Sequence, residues 1–211
     1  MIPEKTVGRL TLYRRILNDC IRGNTLSLRS HELASMAGVS AAQVRRDLMV
    51  VGYEGSPKRG YETEKLLDGI RRTLDEPGGQ RMAVVGVGNL GRALLAYFTG
   101  RRPGLAMVAA FDKDPTRTGR VVHGCHCYHI DEMERVIDEE DIHVAVLAVP
   151  AVAAQKVTDK LVRCGIRGLL NFAPVPVHVP ASVYLDDIDL TMALEKVAFF
   201  ARDRGNAGVF A

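Results

Sequence analysis

The sequence predicts a two-part chain: a small helical domain, then an α/β domain built on a parallel sheet. Three observations carry that prediction. Beyond about residue 80, short apolar runs alternate with helical patterns, as strands and crossover helices do. The first of those runs meets Gly86-Val87-Gly88-Asn89-Leu90-Gly91, a glycine-rich turn that opens a helix. Ahead of residue 80, two short helical stretches are joined by a single glycine, Gly38.

The elements follow in order. Leu10, Tyr13, Leu17, Cys20 and Ile21 fall at helical spacing within Thr6–Ile21, and Gly23-Asn24 ends that helix. Ser30 reads as the cap of a short helix, His31–Ala37. Gly38 makes the turn, and Ser40 caps a further helix running from Ala41 to about Val51. Ser40-Ala41-Ala42-Gln43 has the form of a capping box, with Gln43 reaching back to the Ser40 amide. Gly52–Tyr61 is a loop with a basic tip, and Thr63–Leu74 is helical again. Glu76-Pro77-Gly78-Gly79 reads as a linker. Strands are expected at Met82–Val87, Met107–Asp112, His143–Val149 and Gly168–Phe172. Helices are expected at Leu90–Phe98, Asp131–Glu139, Ala151–Cys164 and Leu190–Arg202. The domains so defined are residues 1–76, 80–188 and a C-terminal segment, 189–211.

Composition narrows the class. A charged fraction of 25% beside 47% hydrophobic residues is ordinary for a globular protein. No apolar stretch is long enough to span a bilayer, and MIPEKTVGRL lacks the apolar core of a secretory signal. The expectation is a cytoplasmic chain with no membrane partner and four reduced cysteines. Residues 1–60 hold ten Lys/Arg against five Asp/Glu, a net of +5, and the remainder holds eighteen against twenty. A polyanion partner is therefore expected for the first part alone.

The first part has the shape of a helix-turn-helix. If its second helix lay in a major groove, the first turn would face base edges. Ser40 and Gln43 would offer hydrogen bonds there, and Arg45 and Arg46 would take phosphate or guanine. Ser56-Pro57-Lys58-Arg59-Gly60 fits a wing between two short strands, with Lys58 and Arg59 at its tip suited to a minor groove.

In the second part each glycine has a reason. Gly86 permits a tight turn, Gly88 lets backbone approach a pyrophosphate, and Gly91 lets helix and strand pack closely. The helix N-terminus offers free amides to phosphate. Asp112, 21 residues after Gly91, would accept ribose hydroxyls and repel a 2′-phosphate. NAD(H) is thus favoured over NADP(H), a preference that Lys113 and Arg117 weaken. Past the last expected sheet strand only about forty residues remain, too few for a substrate domain. No catalytic residue is assigned. His123-Gly124-Cys125-His126-Cys127-Tyr128-His129 crowds thiols and imidazoles, but the spacing is poor for zinc. It is read as a connector, with no metal site.

Taken together, RLTLYRRIL, VSAAQVRRDL, GVGNLG, FDKDP, AVPAVAAQ and LLNFAPV resemble the Rex family of redox-sensing transcriptional repressors, over nearly the entire chain. The resemblance implies an N-terminal winged helix-turn-helix domain and a Rossmann-like doubly wound parallel sheet. It also implies a homodimer in which the C-terminal helix is swapped between subunits. Such a repressor senses the NADH/NAD⁺ ratio, binds palindromic double-stranded operator DNA, and is released when NADH binds. The residues implied at the cofactor are Gly86, Val87, Gly88, Asn89, Leu90 and Gly91, with Asp112 and Lys113 at the ribose. Tyr97 would lie near the nicotinamide. Val149 and Pro150, then Asn171, Phe172, Ala173 and Pro174, would complete the site. Arg45, Arg46, Lys58 and Arg59 would contact DNA, and Arg15 with Asp189 would form an ion pair that changes with cofactor state. Leu190 and the proline in the wing depart from the family's pattern. The alternative is a small NAD-dependent oxidoreductase with a helical dimerisation domain, using His178 as acid/base. A third reading is a coenzyme A-binding regulator.

Overall fold

Leu10, Tyr13 and Leu17 line one face of the first helix, α1 (Glu4–Arg22), and all three are fully buried. They pack against Leu33, Val44, Leu48, Leu66 and Ile70, so one small core organises the whole N-terminal unit. The computed structural model describes residues 2–53, 55–56, 60–101 and 104–206, the side chains of 203–206 excepted. The chain divides into two units, Met1–Pro77 and Gly78–Ala211.

In the first unit α2 (Ser30–Ala37) and α3 (Ala41–Val51) are joined through Gly38, whose φ of 66° only glycine adopts at little cost. The cap of α2 differs from expectation. Arg29, not Ser30, is the N-cap, because the Glu32 carboxylate reaches back to accept the Arg29 N–H at 2.6 Å. The capping box at Ser40 is only half formed. Ser40 Oγ accepts the Gln43 N–H at 3.1 Å, but the Gln43 side chain turns away to Asp47. Two short strands, β1 (Ser27–Leu28) and β2 (Tyr61–Glu62), pair antiparallel, and α4 (Thr63–Leu74) follows. Across the wing the described residues form a bridge, Ser56 to Gly60, and Lys58 and Arg59 lie outside the described residues.

The second unit alternates β3 (Gln80–Val85), α5 (Asn89–Phe98), β4 (Leu105–Asp112), β5 (Arg120–Val122), β6 (Cys125–His129), α6 (Met133–Glu139), β7 (Ile142–Leu147), α7 (Ala151–Arg163), β8 (Gly168–Asn171) and β9 (Tyr184–Asp187). Among the described residues these make one sheet, ordered β5-β6-β4-β3-β7-β8-β9 and parallel except for β5. Without β5 this is the doubly wound order, and it reverses direction at β3. Successive residues of β3 face opposite layers. Ala83 and Val85 join the core under α6 and α7, while Val84 joins Leu94 and Leu95 of α5. Both faces are covered, which is why the strands read as continuous apolar runs.

Residues 123–129 are not a connector. Cys125–His129 is strand β6, and His123-Gly124 is a two-residue hairpin turn with both φ values positive, 47° and 84°. His123 therefore stands in the turn and does not share the strand face of Cys125 and Cys127. Strand β9 carries one partly buried apolar residue of its own, Leu185, and is held by backbone pairing with β8 and by the Asn171 amide, which donates to Asp187 Oδ1.

In the last helix, α8 (Leu190–Asn206), the described large apolar side chains stand exposed. Leu190, Met192, Leu194, Val197, Phe199 and Phe200 are each 59–69% exposed.

Candidate functional site

At the switch point of the sheet, Val85 pairs with both Phe111 and Leu147. Gly86, Asp112 and Ala148 thus emerge together at the carboxyl ends of three adjacent strands. They border a cleft of about 490 Å³, within the range of cofactor sites. From the glycine turn come Gly86, Gly88, Asn89 and Leu90; from the end of β4, Asp112 and Lys113. Val149 and Pro150 contribute from the loop before α7, and Phe172 and Pro174 from the loop after β8.

The three glycines do three different things. Gly86 has a φ of 94°, and a Cβ there would stand 2.4 Å from the Ala148 oxygen. A Cβ on Gly91 would fall 1.7 Å from the Gly86 oxygen, so α5 approaches β3 as closely as backbone allows. Gly88 has an ordinary φ of −74°, and a Cβ there would meet only Arg117 Nη1, at 3.9 Å. Its bareness serves no turn and no packing. A side chain at Gly88 would project into the cleft, at the start of α5, where free amides face out.

Asp112 is nearly buried and organises the turn. Its Oδ2 accepts the Val87 N–H at 2.7 Å, and its Oδ1 accepts the Asp114 N–H at 2.9 Å. Arg117 Nη1 lies 3.3 Å from Oδ2, while Arg117 Nε lies 3.4 Å from Asp114 Oδ2. Hydrogen bonds from the Thr116 hydroxyl and amide hold the Asp114 carboxyl below the usual range. Asp112 Oδ1 keeps acceptor capacity for a hydroxyl group, whereas Oδ2 is filled by the Val87 N–H and Arg117.

Several expected site residues lie elsewhere. Val87 is buried and contributes only its backbone. Asn171 is buried and fully engaged: its amide nitrogen donates to Val175 O and Asp187 Oδ1, and its oxygen accepts the Ala173 N–H. It shapes the loop that carries Phe172 and Pro174 rather than facing the cleft, and Ala173 points into the core. Tyr97 does not line the cleft. It sits at the far end of α5 with the Arg101 guanidinium 3.8 Å from its ring centre. His178 is exposed outside the cleft, its backbone clasped by the Gln155 amide. Arg117, which the sequence places near the ribose, lines the cleft, as do Asp114 from the same loop, Phe111 from β4 and Ile130 from the turn after β6.

Helix α3 is held from behind. Asp47 is buried and accepts both Arg9 Nε and Nη2, at 2.6 and 2.7 Å, together with Tyr13 OH at 2.9 Å and Gln43 Nε2 at 2.9 Å. Burial works to raise the Asp47 pKa, but these hydrogen bonds outweigh it and hold the carboxyl below its ordinary value. Burial, then the bond to Asp47, pushes the Tyr13 hydroxyl up. Gln43, expected at base edges, is thereby tied to the helix core. The outward face carries Ala42, Arg45, Arg46 and Met49, spaced three and four apart, with Ser40 at its start. Arg45 donates to Ser30 Oγ at 3.2 Å. Met49, an apolar residue that helical spacing alone does not mark as a surface group, is 79% exposed on this face. Arg15 and Asp189 are both exposed, and Asp189 caps α8 through the Met192 N–H at 2.9 Å.

The thiols are quiet. Cys125 and Cys127 face the α5 layer, and Cys125 donates to the Met107 oxygen at 3.0 Å. Burial, assisted by the Asp112 charge, pushes Cys127 up to about 11, and burial also raises Cys20, Cys125 and Cys164. Among the described residues no three His, Cys, Asp or Glu gather as metal ligands, and no helix is long and apolar enough to cross a membrane.

Known proteins resemble both halves. Residues 1–48 match the family model described as "Putative DNA-binding protein N-terminus", and residues 79–175 match "CoA binding domain". A protein of Carboxydothermus hydrogenoformans named redox-sensing transcriptional repressor Rex is 39% identical over 201 residues, covering 95% of this chain and 97% of its own. A crystal structure of RSP with β-NAD⁺ and operator DNA is similar at a TM-score of 0.87 and 28% identity, covering 100% of this chain and 99% of that one. RSP with β-NADH gives 0.84 and 27%, over 97% and 96%. These relatives are named as repressors rather than enzymes, which favours that reading over an oxidoreductase. With such identity along nearly its whole length, and with the same two-part architecture, the chain belongs to the Rex family of redox-sensing transcriptional repressors.

Proposed function

We propose that this chain represses transcription in the cytoplasm by reading the NADH/NAD⁺ ratio. As a homodimer it binds palindromic operator DNA, and NADH releases it. One observation carries the proposal: a single chain holds both an outward helix face bearing Arg45 and Arg46 and a cleft with a bare Gly88 at its phosphate end. The relatives support it, since RSP was crystallised with each nicotinamide form and with operator.

The roles follow from the chemistry of the residues. Gly86, Gly88, Asn89 and Leu90 present backbone to a pyrophosphate, and Gly91 keeps α5 close enough to do so. Asp112 accepts ribose hydroxyls, with Lys113 beside it. Val149, Pro150, Phe172 and Pro174 wall the nicotinamide end, and the bound ring supplies a charge and planarity that differ between its two oxidation states. Ser40, Arg45 and Arg46 meet DNA from α3, and Lys58 and Arg59 meet it from the wing. The unpartnered apolar stripe of α8 supports a two-fold dimer in which that helix is exchanged, which matches two recognition helices to a palindrome. Arg15 and Asp189 form the pair whose state follows the cofactor.

A ligand shifts such an equilibrium only by its differential affinity. Moving nearly all molecules from one form to the other requires a preference of about 10⁴-fold. Linkage demands that operator weaken NADH binding by the same factor that NADH weakens operator binding. Fluorescence anisotropy on a labelled palindromic operator, titrated with NADH at fixed NAD⁺, is expected to show release. Equal NADH affinity with and without operator refutes the scheme. In the same assay Arg46→Ala is expected to weaken operator binding and lower its salt slope by about 1.

A further inference from the structure

The guanidinium of Arg117 lies where a dinucleotide has to pass. Nη1 is 3.3 Å from Asp112 Oδ2 and stands over Gly88, 3.9 Å from where a side chain there would begin. It therefore spans the gap between the carboxylate that awaits ribose and the bare backbone that awaits phosphate. A second anchor, Asp114, holds Nε at 3.4 Å from the opposite side. Asp114 is itself fixed by Thr116, so it stays with Arg117 whatever becomes of Asp112.

This arrangement makes the Asp112–Arg117 contact exchangeable. At 47% exposure the arginine is not packed in place, and its hold on Asp112 is the longer kind of ion pair. Ribose hydroxyls arriving at Asp112 compete for the same oxygen. A guanidinium freed from that oxygen remains tethered by Asp114 beside Gly88, and a phosphate there offers it bidentate pairing.

We propose that Arg117 is the side-chain phosphate ligand of this cleft, exchanging Asp112 for the adenosine-side diphosphate when nucleotide binds. The inference deepens the NAD(H) reading and rests on it. It has a functional corollary. The diphosphate is common to both nicotinamide forms, so Arg117 sets the absolute affinity for nucleotide and leaves the preference between NADH and NAD⁺ unchanged.

The test is isothermal titration of the full chain with ADP-ribose at 50 mM and 500 mM salt, for wild type, Arg117→Ala and Arg117→Gln. Both variants are expected to bind about tenfold or more weakly at low salt, with the gap narrowing at high salt as charge is screened. NADH and NAD⁺ affinities are expected to fall by one common factor. Arg117 is exposed, and unchanged thermal unfolding of the variants identifies the loss as a binding effect. Unaltered affinity overturns the proposal, as does a loss equal at both salt concentrations. Tighter binding by the variants also overturns it, since the arginine would then only obstruct the cleft. Wild-type chain that binds ADP-ribose but not NADH defeats the NAD(H) reading while leaving the Arg117 assignment to its own data. Wild-type chain that binds neither defeats both.

Discussion

Replacing Gly91 with alanine is expected to cost the nucleotide unit about 3 kcal/mol or more and to abolish NADH binding. The new methyl would lie 1.7 Å from the Gly86 oxygen, and both partners are backbone, so no rotamer change relieves the clash. Either α5 moves off β3 or the glycine turn unwinds, and each destroys the cradle at the helix start. Calorimetric unfolding reports the first effect, with a midpoint falling by roughly 10 °C; NADH fluorescence reports the second. Gly88→Ala is the informative contrast. Its backbone is in an ordinary region and its methyl meets nothing nearer than 3.9 Å, so stability is expected within about 0.5 kcal/mol of the wild type. Binding is nonetheless lost, because the methyl stands where phosphate approaches. Parallel behaviour of the two variants, both unstable or both able to bind, would show that Gly91 and Gly88 do not divide the labour in this way.

The second large effect is expected at Asp47. Removing its carboxylate in Asp47→Ala leaves the Arg9 guanidinium and the buried Tyr13 hydroxyl without their acceptor. Breaking a buried pair from one side costs about 3–5 kcal/mol. Urea denaturation of the N-terminal unit is the measurement, and operator affinity is expected to fall with it, since Asp47 fastens α3 to α1. A change below about 1 kcal/mol would mean that the core alone sets the pose of α3. The network also fixes a pH response. Asp47 has its pKa lowered in the folded chain, so its contribution is whole above the ordinary aspartate value, about 4. That contribution disappears as pH falls through Asp47's own, lower value. Acid, not base, is expected to weaken the N-terminal unit through this group.

The sequence exposes its architecture where burial is two-sided or spacing is chemical. Strands β3, β4, β7 and β8 are apolar runs because helices cover both faces, and the glycine spacing marks the turn because backbone approach tolerates nothing larger. Strand β9 is not legible, since YLDD is largely exposed at an edge and is fixed by partners elsewhere in the chain, the backbone of β8 and the Asn171 amide that donates to Asp187. The β5–β6 hairpin is hidden for a related reason: His-Gly closes a turn more often signalled by Asn-Gly, and cysteines replace the usual branched residues. In the sites the errors are those of partnership. Gln43 has the right chemistry for a base edge, but Asp47 lies four residues on along the same helix and captures it. Asp47 itself is silent in the sequence, because Arg9 and Tyr13 come to it from 38 and 34 residues away. Tyr97 follows from likeness to the family alone, and in this chain its ring is engaged by Arg101 at the far end of α5.

Burial raises all four cysteine thiols above their ordinary value, Cys127 to about 11. Peroxides attack the ionised form, so these groups have little with which to answer an oxidant. Through its thiols, then, the chain has little direct response to a burst of hydrogen peroxide; the exposed thioether of Met49, on the outward face of α3, is the more open target.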